Sequence, residues 1–154
     1  MTKHKQIEES VARAAFEQAI ASHRQEFGHF FLARFFGLEI TYPDDETCVV
    51  ELEVKDFMFN PQGTLHGGVI AFMLDISMGH LLNRSIGTGM TLEMKTQYLR
   101  PARAGRIRAE GRFLKKGKSI NYLETRLTDA GGSLLAVANS TWQLLPQGAA
   151  VERS

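Results

Sequence analysis

Between His66 and His80 the sequence reads GGVIAFMLDISMG, and Asp75 is its only charge. An ionised carboxylate is costly to bury unpaired. A lone one in such a stretch has either a partner in the core or a task in a cleft. The task open to it is that of a base or a nucleophile. The stretch opens with His66-Gly67-Gly68. Glycines at a helix start let a ligand approach backbone N–H groups that lack intrahelical partners and lie at the positive end of the dipole. A developing oxyanion would be stabilised there, although a Gly-Gly pair before a helix is by itself only a tight turn. In one helix, the nine residues from His66 to Asp75 span about 13 Å of axis and end on opposite faces. They cannot act on one substrate atom from the same helix. A single site that uses both needs two chains, with Asp75 of one near the Gly67 N–H of the other in a homodimer.

The elements that must position these residues follow from periodicity. Residues 5 to 27 read as helix, with Ile7, Val11, Ala14 and Ala15 on one face and Gly28 as the break. The Phe-rich segment from His29 to Phe36 reads as a second short helix that caps a core. Pro43 to Glu46 is a turn. Val50, Leu52 and Val54 then alternate with Glu51, Glu53 and Lys55, as in a half-buried strand from Thr47. Residues 57 to 65 are irregular, broken at Asn60-Pro61 and Gly63. The segment after His66 is apolar on every side, which predicts a helix buried all round.

Beyond Gly87 and Gly89 come four strand-like runs. Met90, Leu92, Met94 and Tyr98 alternate with Thr91, Glu93, Lys95 and Gln97; Ile107, Ala109, Gly111 and Phe113 alternate with Arg106, Arg108, Glu110 and Arg112. From Ser119 to Thr128 the pattern breaks, because Ile120 and Leu123 fall on opposite faces, as a bulge would explain. Ser133 to Leu145 is the last run. Hairpin turns at Lys116-Gly117 and Asp129 to Gly132 make the sheet antiparallel. One strand, one buried helix and a meander of four strands predict an α+β fold, a curved antiparallel sheet wrapped around a central helix.

The chain has 154 residues, 44% of them apolar and 23% charged, which suits one globular domain with a substantial core. Net charge is +1, so no global field announces a nucleic-acid or membrane partner. Cys48 is the single cysteine, which fits a reducing, cytoplasmic setting. The first residues lack a continuous apolar run, and Val69 to Leu74 is too short to cross a bilayer.

The combination Asn60-Pro61-Gln62-Gly63-Thr64-Leu65-His66-Gly67-Gly68, followed by Asp75, resembles the signature of the hot-dog-fold acyl-CoA thioesterases. The branch it resembles is the phenylacetate-pathway and 4-hydroxybenzoyl-CoA thioesterase-like type. The match continues through Thr91, Tyr98 to Ala102 and Lys116-Gly117-Lys118-Ser119, and covers about residues 36 to 146. The resemblance implies a hot-dog core over residues 37–146, with 1–36 as a helical extension and 147–154 as a tail. It implies acyl- or aryl-CoA hydrolysis at a subunit interface, in a homodimer or a dimer of dimers, with coenzyme A as part of the substrate and no further cofactor or metal. It makes Asp75 the base or nucleophile. Asn60 orients the water or the carbonyl, and the Gly67 N–H polarises the carbonyl oxygen. His66 supports that turn, and Thr91 helps to hold the water.

Positive charge is uneven. Lys95 to Lys118 holds nine basic residues and one acid, Glu110, whereas Glu39 to Asp56 holds seven acids and one base, Lys55. The basic stretch is either a solvated sheet face or a rim for the phosphates of coenzyme A, with Arg100 and Lys118 as first choices and Gly68 and Ser119 as further substrate contacts. It lacks the interleaved aromatics of a nucleic-acid site. His80 reads as a satisfied core histidine. His4, His23 and His29 lack metal-ligand spacing. Met73, Met78, Met90 and Met94 read as core or as an acyl channel. A non-catalytic acyl-CoA binder is the alternative function. A hot-dog dehydratase or hydratase needs a differently placed His and acid.

Overall fold

The helix that carries Asp75 begins directly after His66, whose backbone is still extended, and runs as α3 from Gly67 to Ser85. Around it the computed structural model describes residues 7–147. Two helices precede it, α1 (Glu9–Ser22) and α2 (Phe31–Phe36), followed by β1 (Glu39–Asp44), β2 (Thr47–Glu53) and a short 3-10 turn at Asp56–Met58. After α3 come β3 (Gly89–Tyr98), β4 (Arg106–Lys115), β5 (Ile120–Asp129) and β6 (Leu134–Leu144). All six strands form one antiparallel sheet in the order β1-β2-β4-β5-β6-β3. The sheet curves around α3, giving the hot-dog architecture that the resemblance implies.

The core lies between α3 and the inner face of the sheet. Met73, Leu74, Met78, Leu81 and Leu82 meet Val50, Leu52, Ile107, Ala109, Leu123, Leu127 and Trp142. In mid-sheet the contact is backbone to backbone. A Cβ on Gly111 would lie 2.7 Å from the Ser77 carbonyl oxygen, so only glycine lets β4 approach α3 this closely. Ser77 donates to the Leu74 carbonyl (2.7 Å) and shares a hydrogen bond with Thr125 Oγ1 (2.8 Å), which fastens the helix to β5.

The structure corrects several expectations. Pro43 and Asp44 end a strand, β1, which pairs with β2. The last four strands are not a meander. Only β4, β5 and β6 follow one another, and β3 pairs with β6 at the far edge of the sheet. β5 has no bulge at Ile120. Its inner face is Asn121, Leu123, Thr125 and Leu127, and the two polar members hid the alternation. Irregularities lie instead in β3 between Thr91 and Glu93, in β4 between Phe113 and Lys115, and near Leu127.

Along β3, Met90, Leu92 and Tyr98 are exposed, because nothing among the described residues covers that edge. Helix α1 stops at Ser22, where His23 Nδ1 approaches the Ala19 and Ile20 carbonyls (3.1 Å each) and closes the helix end. Its buried face is Ala15 and Ala19, small enough for close packing, whereas Ile7, Val11 and Ala14 are exposed. The N-terminal expectation at residues 5 and 6, His4 and the tail at 148–154 lie outside the described residues.

The two charged segments face each other across β1, β2 and β4. Arg106 bonds to both Glu39 (2.5 Å) and Glu51 (3.2 Å), Arg108 and Arg112 hold Glu110, and Lys116 holds Glu46. For these four bases the solvated sheet face is the correct account.

Candidate active site

Helix α3 is not buried all round. Gly68, Phe72, Asp75 and Gly79 form one stripe at helical spacing, and each is exposed or half-buried. Asp75 sits in the middle of that stripe. The hydroxyl of Thr91, on edge strand β3, donates to Asp75 Oδ1 (2.8 Å), while Oδ2 has no hydrogen-bond partner among the described residues. The structure therefore joins these two residues within one chain. The bulge after Thr91 turns its side chain inward, opposite Trp142. Burial raises the Asp75 carboxyl above its ordinary range, and the Thr91 hydrogen bond pulls it part of the way back.

At the start of α3, His66 Nδ1 accepts the Gly68 N–H (2.8 Å). A Cβ on Gly68 would lie 3.0 Å from that nitrogen, so glycine here makes room for the cap. The neutral ring then carries its proton on Nε2. The cap leaves the Gly67 N–H without an acceptor among the described residues. The Tyr98 hydroxyl donates to the Gly67 carbonyl (3.1 Å) and holds the turn from the side of β3. In the sequence Tyr98 stands out as an alternating apolar position and as part of the family match, with no role attached to it. Its positioning role depends on a contact across 31 residues.

Asn60 belongs to the same end of the molecule. The N–H groups of Gln62 and Thr64 donate to its Oδ1 (3.0 and 3.1 Å), and its Nδ2 donates to Thr64 Oγ1 (2.9 Å). One amide proton remains for a ligand. The chain thus carries two separate groupings, Asn60 with His66-Gly67 at the start of α3, and Asp75 with Thr91 midway along it.

Arg100 and Lys118 lie at opposite ends. Arg100 follows Tyr98 and bonds to the Leu134 carbonyl (2.8 Å). Lys118 and Ser119 line an open pocket of about 810 Å³ with Asn83 and Ile86, at the C-terminal end of α3. That helix is about 28 Å long, so Arg100 and Lys118 of one chain do not share a ligand phosphate.

A second pocket, of about 320 Å³, opens beside Asp75 and is lined by Gln25, Glu26, Phe27, Phe30, Ile76, Gly79, His80, Gly89 and Trp142. The loop from Gln25 to Phe30 was expected to be mostly helix, and its place against Asp75 is not signalled by the sequence. His80 is a core histidine but not a satisfied one, for its buried Nε2 has no partner among the described residues. Met73 and Met78 are core, Met94 is half-buried and Met90 is exposed. Among the described residues no group of three or more His, Cys, Asp or Glu could hold a metal ion, and no helix is long and apolar enough to cross a membrane.

Comparison with known proteins gives the site a context. Residues 62–136 match the family model of the thioesterase superfamily. Acyl-coenzyme A thioesterase 13 of Homo sapiens is 35% identical over 100 residues, which cover 62% of this chain and 71% of that protein. A 1,4-dihydroxy-2-naphthoyl-CoA hydrolase of Listeria monocytogenes is 29% identical over 113 residues, 71% of this chain and 92% of the relative. A Bacillus halodurans protein, in a crystal structure with CoA, superposes with a TM-score of 0.81 at 23% identity over 94% of this chain and 97% of its own. That likeness is one of fold, and it extends into the N-terminal helical segment.

Proposed function

This chain belongs to the thioesterase superfamily and is a thioester hydrolase, and we propose that it cuts acyl-CoA thioesters at sites shared between two subunits. Each site combines Asp75 and Thr91 of one copy with Asn60, His66 and Gly67 of the other. The observation that carries this reading is the Asp75–Thr91 hydrogen bond on the accessible stripe along the middle of a mostly buried helix. In support, β3 offers an unpaired sheet edge with Met90, Leu92 and Tyr98 exposed, a surface suited to covering by a second copy. An antiparallel pair also brings Arg100 of one copy toward Lys118 and Ser119 of the other, on either side of one entrance for the coenzyme phosphates.

The chemistry follows from the groups. The free Gly67 N–H, at the positive end of α3, stabilises the oxyanion formed when the thioester carbonyl is attacked. The open Asp75 Oδ2 either takes a proton from the attacking water or attacks the carbon itself. Collapse breaks the C–S bond, and the coenzyme thiolate leaves and is protonated; where Asp75 has attacked, water then cleaves the acyl–Asp75 anhydride, releasing the acid and restoring the carboxylate. The raised basicity of Asp75 suits it to proton transfer.

Thiol release from a panel of acyl-CoAs, by wild type and Asp75→Ala, tests the reading. Cys48 is buried and its thiol is pushed up to about 12, so the reagent reports coenzyme rather than protein. Loss of the carboxylate lowers the rate by about 10²–10⁴-fold. Equal slow rates for the two proteins would favour a non-catalytic acyl-CoA binder.

A further inference from the structure

A third pocket, of about 220 Å³, lies where α1 and α2 meet the start of β1, with Lys55 closing it from the segment after β2. Strand β1 is the sheet edge opposite β3, and the segment that holds Lys55 leads into the start of α3. Lys118 lies at the other end of that helix and Arg100 follows the other sheet edge, so neither candidate coenzyme contact reaches this pocket.

Two cations line it without a counter-charge among the described residues. Arg34, half-buried in the last turn of α2, donates from Nη2 to His29 Nδ1 (2.8 Å), an imidazole acceptor that supplies no negative charge. Its Nε is buried and makes no hydrogen bond, and no carboxylate pairs with it. Lys55, also half-buried, rests 6.0 Å from the Phe57 ring and is in no ion pair. The carboxylate on the lining, Glu39, is held by Arg106 on both oxygens (3.2 and 2.5 Å), which keeps its carboxyl below the ordinary range, so its charge is already matched. Cations withdrawn from water call for a partner. The end of α2 does not oppose an anion either, because the Gly37 and Leu38 N–H groups take the Arg34 and Ala33 carbonyls.

We propose that this pocket binds a phosphate group carrying two negative charges, free or as a monoester, between Arg34 and Lys55, with the Gln18 side-chain amide as a third donor. Two cations favour a dianion over a singly charged carboxylate, and a guanidinium with open donors matches a pair of phosphate oxygens. Ala15 and Phe35 give the organic part of an ester an apolar wall. The ligand also fastens α1 to the core, since the buried face of that helix is only Ala15 and Ala19. Binding here requires no turnover, so the inference stands apart from the thioesterase reading.

The experiment titrates the full chain with inorganic phosphate, glycerol 3-phosphate, AMP and acetate at constant ionic strength, by calorimetry and by thermal melts. At least one phosphate ligand binds about tenfold or more tightly than acetate and raises Tm, as a ligand of the folded state alone must. The tightest of the three shows whether the free ion or an ester is the natural occupant. Arg34→Gln and Lys55→Gln each weaken that binding by about tenfold or more, the loss expected for one charge-assisted contact. Arg34→Lys, which keeps the charge and loses the planar fork, falls between wild type and Arg34→Gln. If Arg34→Gln does not fold, Lys55→Gln decides. Failure of every phosphate ligand to bind, acetate binding as tight as phosphate, or binding undiminished in both Gln variants overturns the inference. So does a KM for acyl-CoA that rises in these variants with no phosphate present, which would make the pocket part of the coenzyme site.

Discussion

Burial and a hydroxyl pull on Asp75 in opposite directions. Burial is the larger influence and raises the carboxyl, and the Thr91 hydrogen bond favours the ionised form and lowers it. In the proposed mechanism Asp75 must be ionised to act, so kcat/KM is expected to fall as pH drops through this raised value. The acid limb therefore lies above the ordinary carboxylate range. Thr91→Val removes the lowering contribution, so the limb moves to still higher pH, and kcat falls by about tenfold for one lost hydrogen bond to a charged group. A pH profile of the variant that overlays wild type would show that Thr91 does not act on Asp75. The same shift has a consequence for stability. The folded state holds the Asp75 proton more tightly than the unfolded chain does. Its favourable contribution is complete below the unfolded value and is lost as pH rises through the raised folded one. At pH 7 the ionised group costs stability, so Asp75→Asn melts at or above wild type while its hydrolysis collapses. A clear fall in Tm would give Asp75 a structural role instead.

At Gly111, helix α3 and strand β4 meet with no β4 side chain between them, two residues along the helix from Asp75. Gly111→Ala places a methyl 2.7 Å from the Ser77 carbonyl oxygen and 3.1 Å from its Oγ. The helix must lift, breaking the Ser77–Thr125 bond. Overpacking of this kind costs about 1–3 kcal/mol, which lowers Tm by roughly 2–12 °C in a chain of this size. A melting curve unchanged from wild type would mean that the sheet relaxes freely at β4. None of this contact was legible in the sequence, where Gly111 was only an inward position. Features set by neighbours along the chain were legible: the apolar run of α3, the His66 turn, Asp75 and the alternation of β2 and β4. Features set by distant partners were not. The place of β3 beside β6, the inner face of β5 with its Asn121 and Thr125, the Tyr98 bond to Gly67 and the unpaired His80 nitrogen all depend on which strand or helix comes to lie opposite. The N-terminal helix misled for a related reason. Its packing face is built from Ala15 and Ala19, whereas the sequence directs attention to Ile7 and Val11, which remain exposed.

Across the whole molecule, the groups suited to one reaction are divided between two places. Gly67 opens α3, and Asp75 lies eight residues further along the same helix. Among the described residues the sheet ends at β3, whose ten residues pair with a neighbouring strand on one side only and leave three large apolar side chains exposed. In the proposed dimer, a two-fold axis at this edge would remove both deficiencies together, because it would pair the edge and set the Asp75 of each copy toward the α3 start of the other. The arrangement has a signature that no single-chain site can reproduce. Asp75→Asn and His66→Ala each disable both sites of a homodimer. In a mixed dimer one site collects both defects and the other collects neither. Refolding the two inactive variants together in equal amounts therefore restores roughly a quarter of wild-type activity, since half of the dimers are mixed and each has one intact site of two. Thiol release by the mixture is compared with that of the two variants refolded apart. If the mixture yields no more than the average of the separate variants while sedimentation shows dimers of both kinds, each chain holds a complete site. The exposed stripe of α3 would then face something other than the β3-related copy.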